Sequence, residues 1–192
     1  MYKHDVLIIG GGLAGLRAAV EVTRAGGDVA VISKVHPVRS HSNAAQGGIN
    51  APLTDRGDDW EGHAYDTIKG SDFLADQDAV EVMSVEAGDA VLELERMGVI
   101  FSRGDDGKLG TRRFGGQKTA RTFFVGAITG SAILHVLFEQ ALKLGLNVYE
   151  EWFVTKLIIE DGTCRGVVAI DLKTGEIHTI KAKAVIMAAG GA

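Results

Sequence analysis

The alternation of apolar and polar positions predicts a strand, a helix and a second strand at the N-terminus. Asp5–Ile9 is a short apolar run that ends in glycines, as buried parallel strands do. Leu13–Ala25 carries apolar residues at helical spacing and stops at Gly26 and Gly27. Asp28–Ser33 is again apolar. Together they predict a βαβ unit, whose crossover we expect to be right-handed.

The middle of the chain predicts two amphipathic helices, separated by loops. The helices are expected at Asp76–Met97 and Ala132–Leu144, and a short strand at Val99–Ser102. Between Lys34 and Trp60 the chain is polar and irregular. Loops of that length inside a domain are typical of functional or disordered segments.

The C-terminal part predicts an antiparallel three-strand meander and one further strand. The meander strands are Trp152–Ile159, Arg165–Asp171 and Glu176–Ile180, with turns at Asp161–Gly162 and Thr174–Gly175. Ala184–Ala188 is the further strand, expected to be buried, and it ends at Gly190 and Gly191. We therefore expect an α/β fold, Rossmann-like, with a parallel sheet and a meander. Because a βα turn normally continues from such a strand, we expect this domain to be incomplete at its C-terminus; a small complete domain is the alternative.

Composition narrows the class of protein. Glycine makes up 26 of the 192 residues, about twice the usual ~7%. A net charge of −5 gives no electrostatic reason to expect nucleic acid as a partner. Cys164, as the single cysteine, cannot form an intramolecular disulfide or a zinc site. The uncharged run Thr122–Phe138 is shorter than the ~20 residues that a membrane helix needs.

The turn between the first strand and the first helix satisfies the dinucleotide fingerprint G-x-G-x-x-G. Gly10 permits the tight turn, Gly12 the approach of a pyrophosphate, and Gly15 close packing of helix on strand. The helix N-terminus then offers free N–H groups to the diphosphate. A glycine-rich turn without a ligand is the alternative. Ser33 stands where NAD-binding proteins usually have an acid, which disfavours an NAD-dependent dehydrogenase.

The next segment carries a more specific motif. Residues 33–48 read S-K-V-H-P-V-R-S-H-S-N-A-A-Q-G-G. This resembles the flavoprotein subunits of succinate dehydrogenase and fumarate reductase, whose pattern is S-K-x-x-P-x-R-S-H followed by A-[QE]-G-G. The resemblance continues through Asp59–Glu61, His63, Tyr65–Asp72, Asp76–Asp78, Phe101–Arg103, Arg113–Gly116, Arg121–Thr122, Thr129–Gly130 and Ala188–Gly191, with Ala189 in place of the family's threonine. It spans nearly the whole chain but only the N-terminal third or so of such a subunit.

The resemblance implies FAD as the cofactor, bonded covalently through its 8α carbon to His41. An imidazole nitrogen is a competent nucleophile near neutral pH. Arg39 would stabilise negative charge on the flavin, with a surface cation without a role as the alternative. Gln46, Gly47 and Gly48 would lie near the reactive edge of the ring. Phe153 and Val154 would hold the adenine through backbone groups, with core packing as the alternative. The expected cofactor-binding residues are Gly10, Gly11, Gly12, Leu13, Ala14, Gly15, Ser33, Lys34, Arg39, Ser40, His41, Asn43, Ala44, Ala45, Gln46, Gly47, Gly48, Phe153, Val154, Ala188, Ala189 and Gly190.

The resemblance also implies a function. Proteins of this family interconvert succinate and fumarate by hydride transfer to or from FAD, and the electrons pass to an iron–sulfur subunit and quinone, in the tricarboxylic acid cycle and electron transport. The expected partners are that subunit, membrane anchor subunits and a C4-dicarboxylate substrate. The expected location is cytoplasmic, peripheral on the inner face of the cell membrane. Residues 1–192 would be the N-terminal part of the FAD-binding domain, without the capping and helical domains.

No catalytic residue and no metal ligand is assigned to the chain itself. The family's dicarboxylate-binding residues and its proton-shuttling arginine lie later in the sequence, so independent catalysis is not expected. Two further interpretations stay open. The chain is a non-catalytic flavin-binding fragment of such a subunit, or it belongs to an L-aspartate oxidase-like enzyme that holds FAD non-covalently. That subgroup generally lacks the linking histidine, so His41 argues against it.

Overall fold

The structure is a computed structural model, which describes residues 2–191; Met1 and Ala192, the ends of the range expected to bind FAD, lie outside the described residues. The chain divides into two compact units, residues 1–43 with 133–192 and residues 44–132. The strands are β1 Tyr2–Ile9, β2 Val29–Ser33, β3 Ile49–Asn50, β4 Thr111–Arg112, β5 Thr122–Phe123, β6 Asn147–Glu150, β7 Trp152–Glu160, β8 Thr163–Asp171 and β9 Ile177–Met187. The helices are α1 Leu13–Arg24, α2 Trp60–Gly70, α3 Gln77–Met97 and α4 Thr129–Lys143.

The first unit is built on a six-stranded sheet in the order β6-β2-β1-β9-β8-β7. β6, β2, β1 and β9 are parallel neighbours, whereas β7, β8 and β9 form antiparallel pairs. The predicted α/β fold with a parallel sheet and a meander is thereby confirmed. The parallel part places the C-terminal ends of β2, β1 and β9 side by side.

The two faces of β1 carry separate apolar cores, because successive strand residues point to opposite faces. Ile8 packs with Val29 and Val31 and against Ala19 of α1. Leu7 packs on the other face, in a cluster with Ile32, Trp152, Val167 and Ile180, among others. Each fully buried side chain of this size contributes roughly 1.5–3 kcal/mol. The two cores hold β1, and with it the turn that follows, in a fixed position.

The third meander strand and the last parallel strand, predicted as two separate strands, are one continuous strand, β9. Ile177–Met187 is continuous, and pairs with β8 on one side and β1 on the other. The lysines at 181 and 183 do not interrupt it, because both are exposed on a solvated part of the sheet. The expected burial of Ala184–Ala188 is also wrong, since Ala184, Ile186 and Met187 are exposed.

The second unit contains α2, α3 and a small three-stranded sheet in the order β3-β5-β4. The predicted helix at 76–97 is confirmed: Asp76 caps it by accepting a hydrogen bond from the Ala79 N–H, and Gly98 ends it with φ +119°. The predicted strand at 99–102 is wrong. Phe101 is buried, but its segment belongs to none of the described strands. Burial of single side chains, rather than strand pairing, explains the apolar pattern there.

Sequence patterns did not indicate α2 or β6. Asp59 caps α2 by accepting a hydrogen bond from the Gly62 N–H at 2.7 Å, but the helix contains two glycines, a β-branched pair and few apolar positions at helical spacing. β6 has only four residues and directly precedes the meander. The stretch 34–60 contains three short 3₁₀ turns and β3 rather than one structureless loop.

Candidate dinucleotide-binding site

The turn after β1 can be formed only by glycines. Gly10 has φ +119°, and a Cβ there would lie 2.2 Å from the carbonyl oxygen of Ala188. A Cβ on Gly15 would lie 1.8 Å from the carbonyl oxygen of Gly10. A Cβ on Gly11 would lie 2.7 Å from Oγ of Ser33. The backbone therefore approaches β2, β9 and α1 as closely as glycine allows, which is the arrangement that the fingerprint predicts.

The N-terminus of α1 is open to an anion. Its N-cap is Gly12, which has no side chain to cap the helix, and the first turn has no acidic residue. The Leu13 N–H donates to Oγ of Ser42 at 3.3 Å. Oγ of Ser40 is buried and bonds to no group among residues 2–191. Free N–H groups, a positive helix end and two hydroxyls here make a cradle suited to diphosphate oxygens.

A cleft of about 390 Å³ opens at this turn. Its volume is within the range of small-molecule sites, roughly 300–1,000 Å³. It lies at the C-terminal ends of β2, β1 and β9, where open α/β sheets bind ligands. The lining residues are Ile9, Gly10, Gly11, Gly12, Ile32, Ser33, Lys34, Val35, Ser40, His41, Ser42, Trp152, Phe153, Val154, Ala188, Ala189 and Gly190.

The cleft brings together many of the residues that the sequence singles out. Those that line it are Gly10, Gly11, Gly12, Ser33, Lys34, Ser40, His41, Phe153, Val154, Ala188, Ala189 and Gly190. Leu13, Ala14, Gly15, Arg39 and Asn43 belong to the same unit but do not line the cleft. Ala44, Ala45, Gln46, Gly47 and Gly48 belong to the second unit.

Five residues that line the cleft were not predicted from the sequence: Ile9, Ile32, Val35, Ser42 and Trp152. Ser42 stands between His41 and Asn43, so its hydroxyl was a detectable candidate. The apolar residues lie at or just after strand ends or at the start of β7, and they carry no chemistry that a sequence pattern shows. Trp152 is buried and belongs to the same apolar cluster as Leu7, so it forms both core and cleft wall.

His41 stands at the start of a 3₁₀ turn, His41–Ala44, and is exposed on the cleft wall. The preceding turn, Pro37–Arg39, begins with proline, whose fixed φ favours a helical start. Arg39 is exposed. The two consecutive turns thus place His41 at the cleft wall, where its side chain is accessible.

The glycine-rich segment of the second unit is held by Arg112. The guanidinium Nη2 donates to the carbonyl oxygen of Gly47 at 2.7 Å and of Gln46 at 3.3 Å. Gly48 has φ +116°, and a Cβ there would lie 2.5 Å from the carbonyl oxygen of Phe123. These contacts fix the peptide groups of the segment, so its backbone donors and acceptors are preorganised.

Arg121 forms a buried ion cluster that the sequence did not reveal. It donates to both oxygens of Asp58, at 2.8 and 2.9 Å, and to Asp66 at 2.9 Å. His63 is also buried in this unit. Burial lowers the pKa of His63, and the positive charge of Arg121 lowers it further. The cluster connects the loop before α2, α2 itself and the start of β5, and its arginine is already bound to two carboxylates.

The lining of the cleft favours a dinucleotide as its ligand. Within residues 2–191, no group of three or more His, Cys, Asp or Glu side chains is placed to hold a metal ion. No helix in that range is long and apolar enough to cross a membrane. The glycine cradle, the unpartnered Ser40 hydroxyl and the open helix N-terminus fit a dinucleotide.

The fold and the cleft define a dinucleotide-binding protein of the Rossmann type. Residues 5–192 match the family model of the FAD binding domain, so the chain belongs to that family. The chain is 48% identical over 199 residues to the succinate dehydrogenase flavoprotein subunit of Rickettsia conorii, covering 99% of this chain and 33% of that protein. The fumarate reductase flavoprotein subunit of Mycobacterium tuberculosis is 46% identical over 192 residues, with 98% and 33% covered.

Among solved structures, an E. coli quinol fumarate reductase FrdA variant superposes with a TM-score of 0.95 at 41% identity, covering all of this chain and 33% of that one. The resemblance seen in the sequence is thereby confirmed. The chain spans about a third of the length of the relatives that it matches.

Proposed function

We propose that this chain is the FAD-binding part of an oxidoreductase flavoprotein that interconverts succinate and fumarate by hydride transfer to or from covalently bound FAD. The observation that carries the proposal is the placement of His41 on the wall of the same cleft as Gly10, Gly11 and Gly12. A diphosphate cradle alone fits many dinucleotide enzymes. The exposed imidazole beside it supplies a nucleophile suited to a covalent flavin link.

Each part of the cleft has a proposed task. The N–H groups at the start of α1 and the hydroxyls of Ser40 and Ser42 bind the diphosphate. Ser33, at the end of β2, offers a hydroxyl to the adjacent ribose. Backbone groups of Phe153 and Val154 bind the adenine, since the Phe153 side chain is 44% exposed and does not serve the core.

FAD, when bound, supplies the hydride acceptor or donor. His41 would anchor it through a bond from an imidazole nitrogen to the 8α carbon, which fixes the ring and is expected to raise its reduction potential. Arg39 would stabilise negative charge on the ring. The backbone of Gln46, Gly47 and Gly48, held by Arg112, would bond the reactive edge of the ring.

The remaining parts of the proposal come from the relatives. The similar E. coli FrdA chain is part of a quinol fumarate reductase. We accordingly propose a C4-dicarboxylate substrate, an iron–sulfur subunit, membrane anchor subunits and quinone as the electron partner. The protein would be cytoplasmic and peripheral on the inner face of the membrane. Residues 1–192 would form the N-terminal part of the FAD-binding domain, with the family's capping and helical domains outside this segment.

The covalent link is testable by acid precipitation of the full-length flavoprotein that contains this chain. We expect flavin fluorescence in the pellet of the wild type and of His135→Ala, a control that removes an exposed histidine of α4. In His41→Ala the flavin should pass entirely to the supernatant. Steady-state assays with succinate and with fumarate then measure turnover in the same preparations.

Two results would overturn parts of the proposal. Wild-type flavin found only in the supernatant would exclude the link through His41 and favour the L-aspartate oxidase-like alternative, to be checked by turnover of L-aspartate. A pellet that retains flavin in a full-length protein without turnover of either dicarboxylate would favour a non-catalytic flavin-binding protein.

A further inference from the structure

A second cavity lies in the first unit, at the N-terminal end of β1 and beside the middle of β9. Its volume is about 240 Å³. The dinucleotide cleft, by contrast, lies at the C-terminal ends of the same strands. The lining residues are Lys3, His4, Ile158, Glu160, Arg165, Lys181, Ala182 and Lys183.

Positive side chains are placed side by side on the central strands of the sheet. Lys3 of β1 and Lys181 of β9 are direct register partners, and both are exposed. Like charges on directly paired strand residues are destabilising. Lysines often protect the edges of sheets from aggregation, but β1 and β9 each have a neighbour on both sides. Edge protection therefore does not explain this pair.

A β-bulge brings a third cation to the same place. Ile158 pairs with Gly166, and Ile159 pairs with Cys164, so Arg165 between them has no register partner. An extra residue of this kind redirects its side chain, and bulges are frequent beside functional sites. Gly166 has φ +142°, and a Cβ there would lie 2.0 Å from the carbonyl oxygen of Ile180. The bulge thus depends on a glycine that no other residue can replace without displacing β9.

The charges around this cavity are not balanced. Among the described residues, Arg165 and Lys181 belong to none of the ion pairs, whereas Lys3 interacts electrostatically with Asp5. Lys183 is paired with Asp5 at 2.6 Å, and Glu160 is the acid that lines the cavity. Since the whole chain carries a net charge of −5, this concentration of cations runs against its overall composition.

His4 lines the cavity, but its ring is bound elsewhere and it is not a proposed ligand. Its Nδ1 lies 3.1 Å from both carboxylate oxygens of Asp28, and its Nε2 lies 2.9 Å from the hydroxyl of Tyr149. Both ring nitrogens are therefore engaged, and the ring cannot turn without breaking these bonds. Because successive strand residues point to opposite faces, the His4 ring lies on the other face of the sheet from the side chains of Lys3 and Lys181.

We propose that this cavity binds a small phosphate anion, either inorganic or the terminal phosphate of an organic phosphate. Its volume lies below the ~300 Å³ at which sites for larger organic ligands begin, which favours a compact ligand. Arg165 can bind two phosphate oxygens at once, while Lys3 and Lys181 act as point charges. The proposal does not depend on flavin chemistry, because none of the lining residues belongs to the dinucleotide cleft.

Calorimetric titration with inorganic pyrophosphate tests the site in the full-length protein loaded with FAD, whose cofactor occupies the other anion site. Lys181→Gln and Arg165→Gln should each weaken binding by about 10-fold or more, as expected for loss of a charge-assisted hydrogen bond. Lys156→Gln removes an exposed lysine of β7 outside the cavity and should leave the affinity within about 2-fold. Circular dichroism confirms that each variant is folded.

A parallel titration with ADP separates free phosphate from organic phosphate as the ligand. Tighter binding of pyrophosphate indicates an inorganic ligand, and tighter binding of ADP indicates an organic phosphate. Absence of binding by the wild type would overturn the proposal. Equal weakening by Lys156→Gln and Lys181→Gln would do so as well, because it would show general attraction to surface charge rather than a site.

Discussion

Arg121 and Asp58 are joined by a two-point ion pair in the interior of the second unit. Nε and Nη2 of the arginine lie 2.8 and 2.9 Å from the two carboxylate oxygens, and the side chains are 2% and 7% exposed. Burial alone would lower the pKa of Arg121, but its bonds to Asp58 and Asp66 raise it. The arginine therefore stays charged and joins the residue before β5 to α2 and to the loop that precedes it.

Replacing this arginine by an apolar residue should strongly destabilise the protein. Arg121→Met leaves the carboxylates of Asp58 and Asp66 buried without a counter-charge, since both are less than a tenth exposed. Loss of one partner from such a pair costs about 3–5 kcal/mol. Urea unfolding followed by circular dichroism should show this loss in the free energy of unfolding.

Removing the carboxylates as well distinguishes the effect of unpaired charge on stability from the effect of lost packing. Adding Asp58→Asn and Asp66→Asn to Arg121→Met should restore part of the lost stability, because no unpaired charge then remains buried. A triple variant that is no more stable than Arg121→Met would contradict the electrostatic explanation.

His63 should make stability depend on pH. Its pKa in the folded protein is lowered from the ordinary 6.5, first by burial and then by Arg121. Above pH 6.5 neither state holds the proton. As the pH falls through 6.5, the unfolded chain takes up a proton that the folded chain does not, so the free energy of unfolding decreases until the folded pKa is reached. Each unit of pKa lowering removes about 1.4 kcal/mol at the acid end.

The measurement is urea unfolding at about pH 7.5 and about pH 5. His63→Asn cannot titrate in this range, so it should lose less stability than the wild type on acidification. His135→Asn, at an exposed site on α4, should behave as the wild type does. Equal pH dependence of wild type and His63→Asn would refute the assignment.

The parts of the fold that could be predicted are those with local, periodic patterns. β1, α1 and β2 show apolar runs bounded by glycines, and α3 has both cap residues at its ends. The continuity of β9 could not be predicted, because its lysines break the apolar pattern and only pairing with β1 and β8 keeps the strand regular. Short strands such as β6 depend on their neighbours in the same way.

The residues of the candidate site likewise fall into those that the sequence could predict and those that it could not. Gly10, Gly11 and Gly12 are detectable because a backbone requirement leaves a fixed sequence signature. Trp152 and Ile32 line the cleft only because distant strand ends meet there, which no local pattern encodes. The ion cluster of Arg121 joins residues more than fifty positions apart in sequence. The spacing of Arg121 in the sequence therefore indicated no role for it. Its role in the ion cluster follows only from its tertiary contacts with Asp58 and Asp66.

Gly15 of α1 gives the sharpest prediction for the dinucleotide cradle. A Cβ at this position would lie 1.8 Å from the carbonyl oxygen of Gly10 and 3.3 Å from Cγ2 of Ile8. Gly15→Ala must therefore push α1 away from β1, at a cost of at least about 1–3 kcal/mol. Because the same shift moves the helix N-terminus from the diphosphate position, FAD affinity should fall together with stability.

The matched control is Gly70→Ala, at the last residue of α2, where an added Cβ meets no atom within 4 Å. Alanine favours a helix over glycine by up to about 1 kcal/mol, so this variant should be as stable as the wild type or slightly more stable. Fluorescence titration of the apoprotein with FAD, alongside thermal unfolding, measures both effects. Wild-type FAD affinity in Gly15→Ala would show that close packing of α1 on β1 is not what positions the cradle.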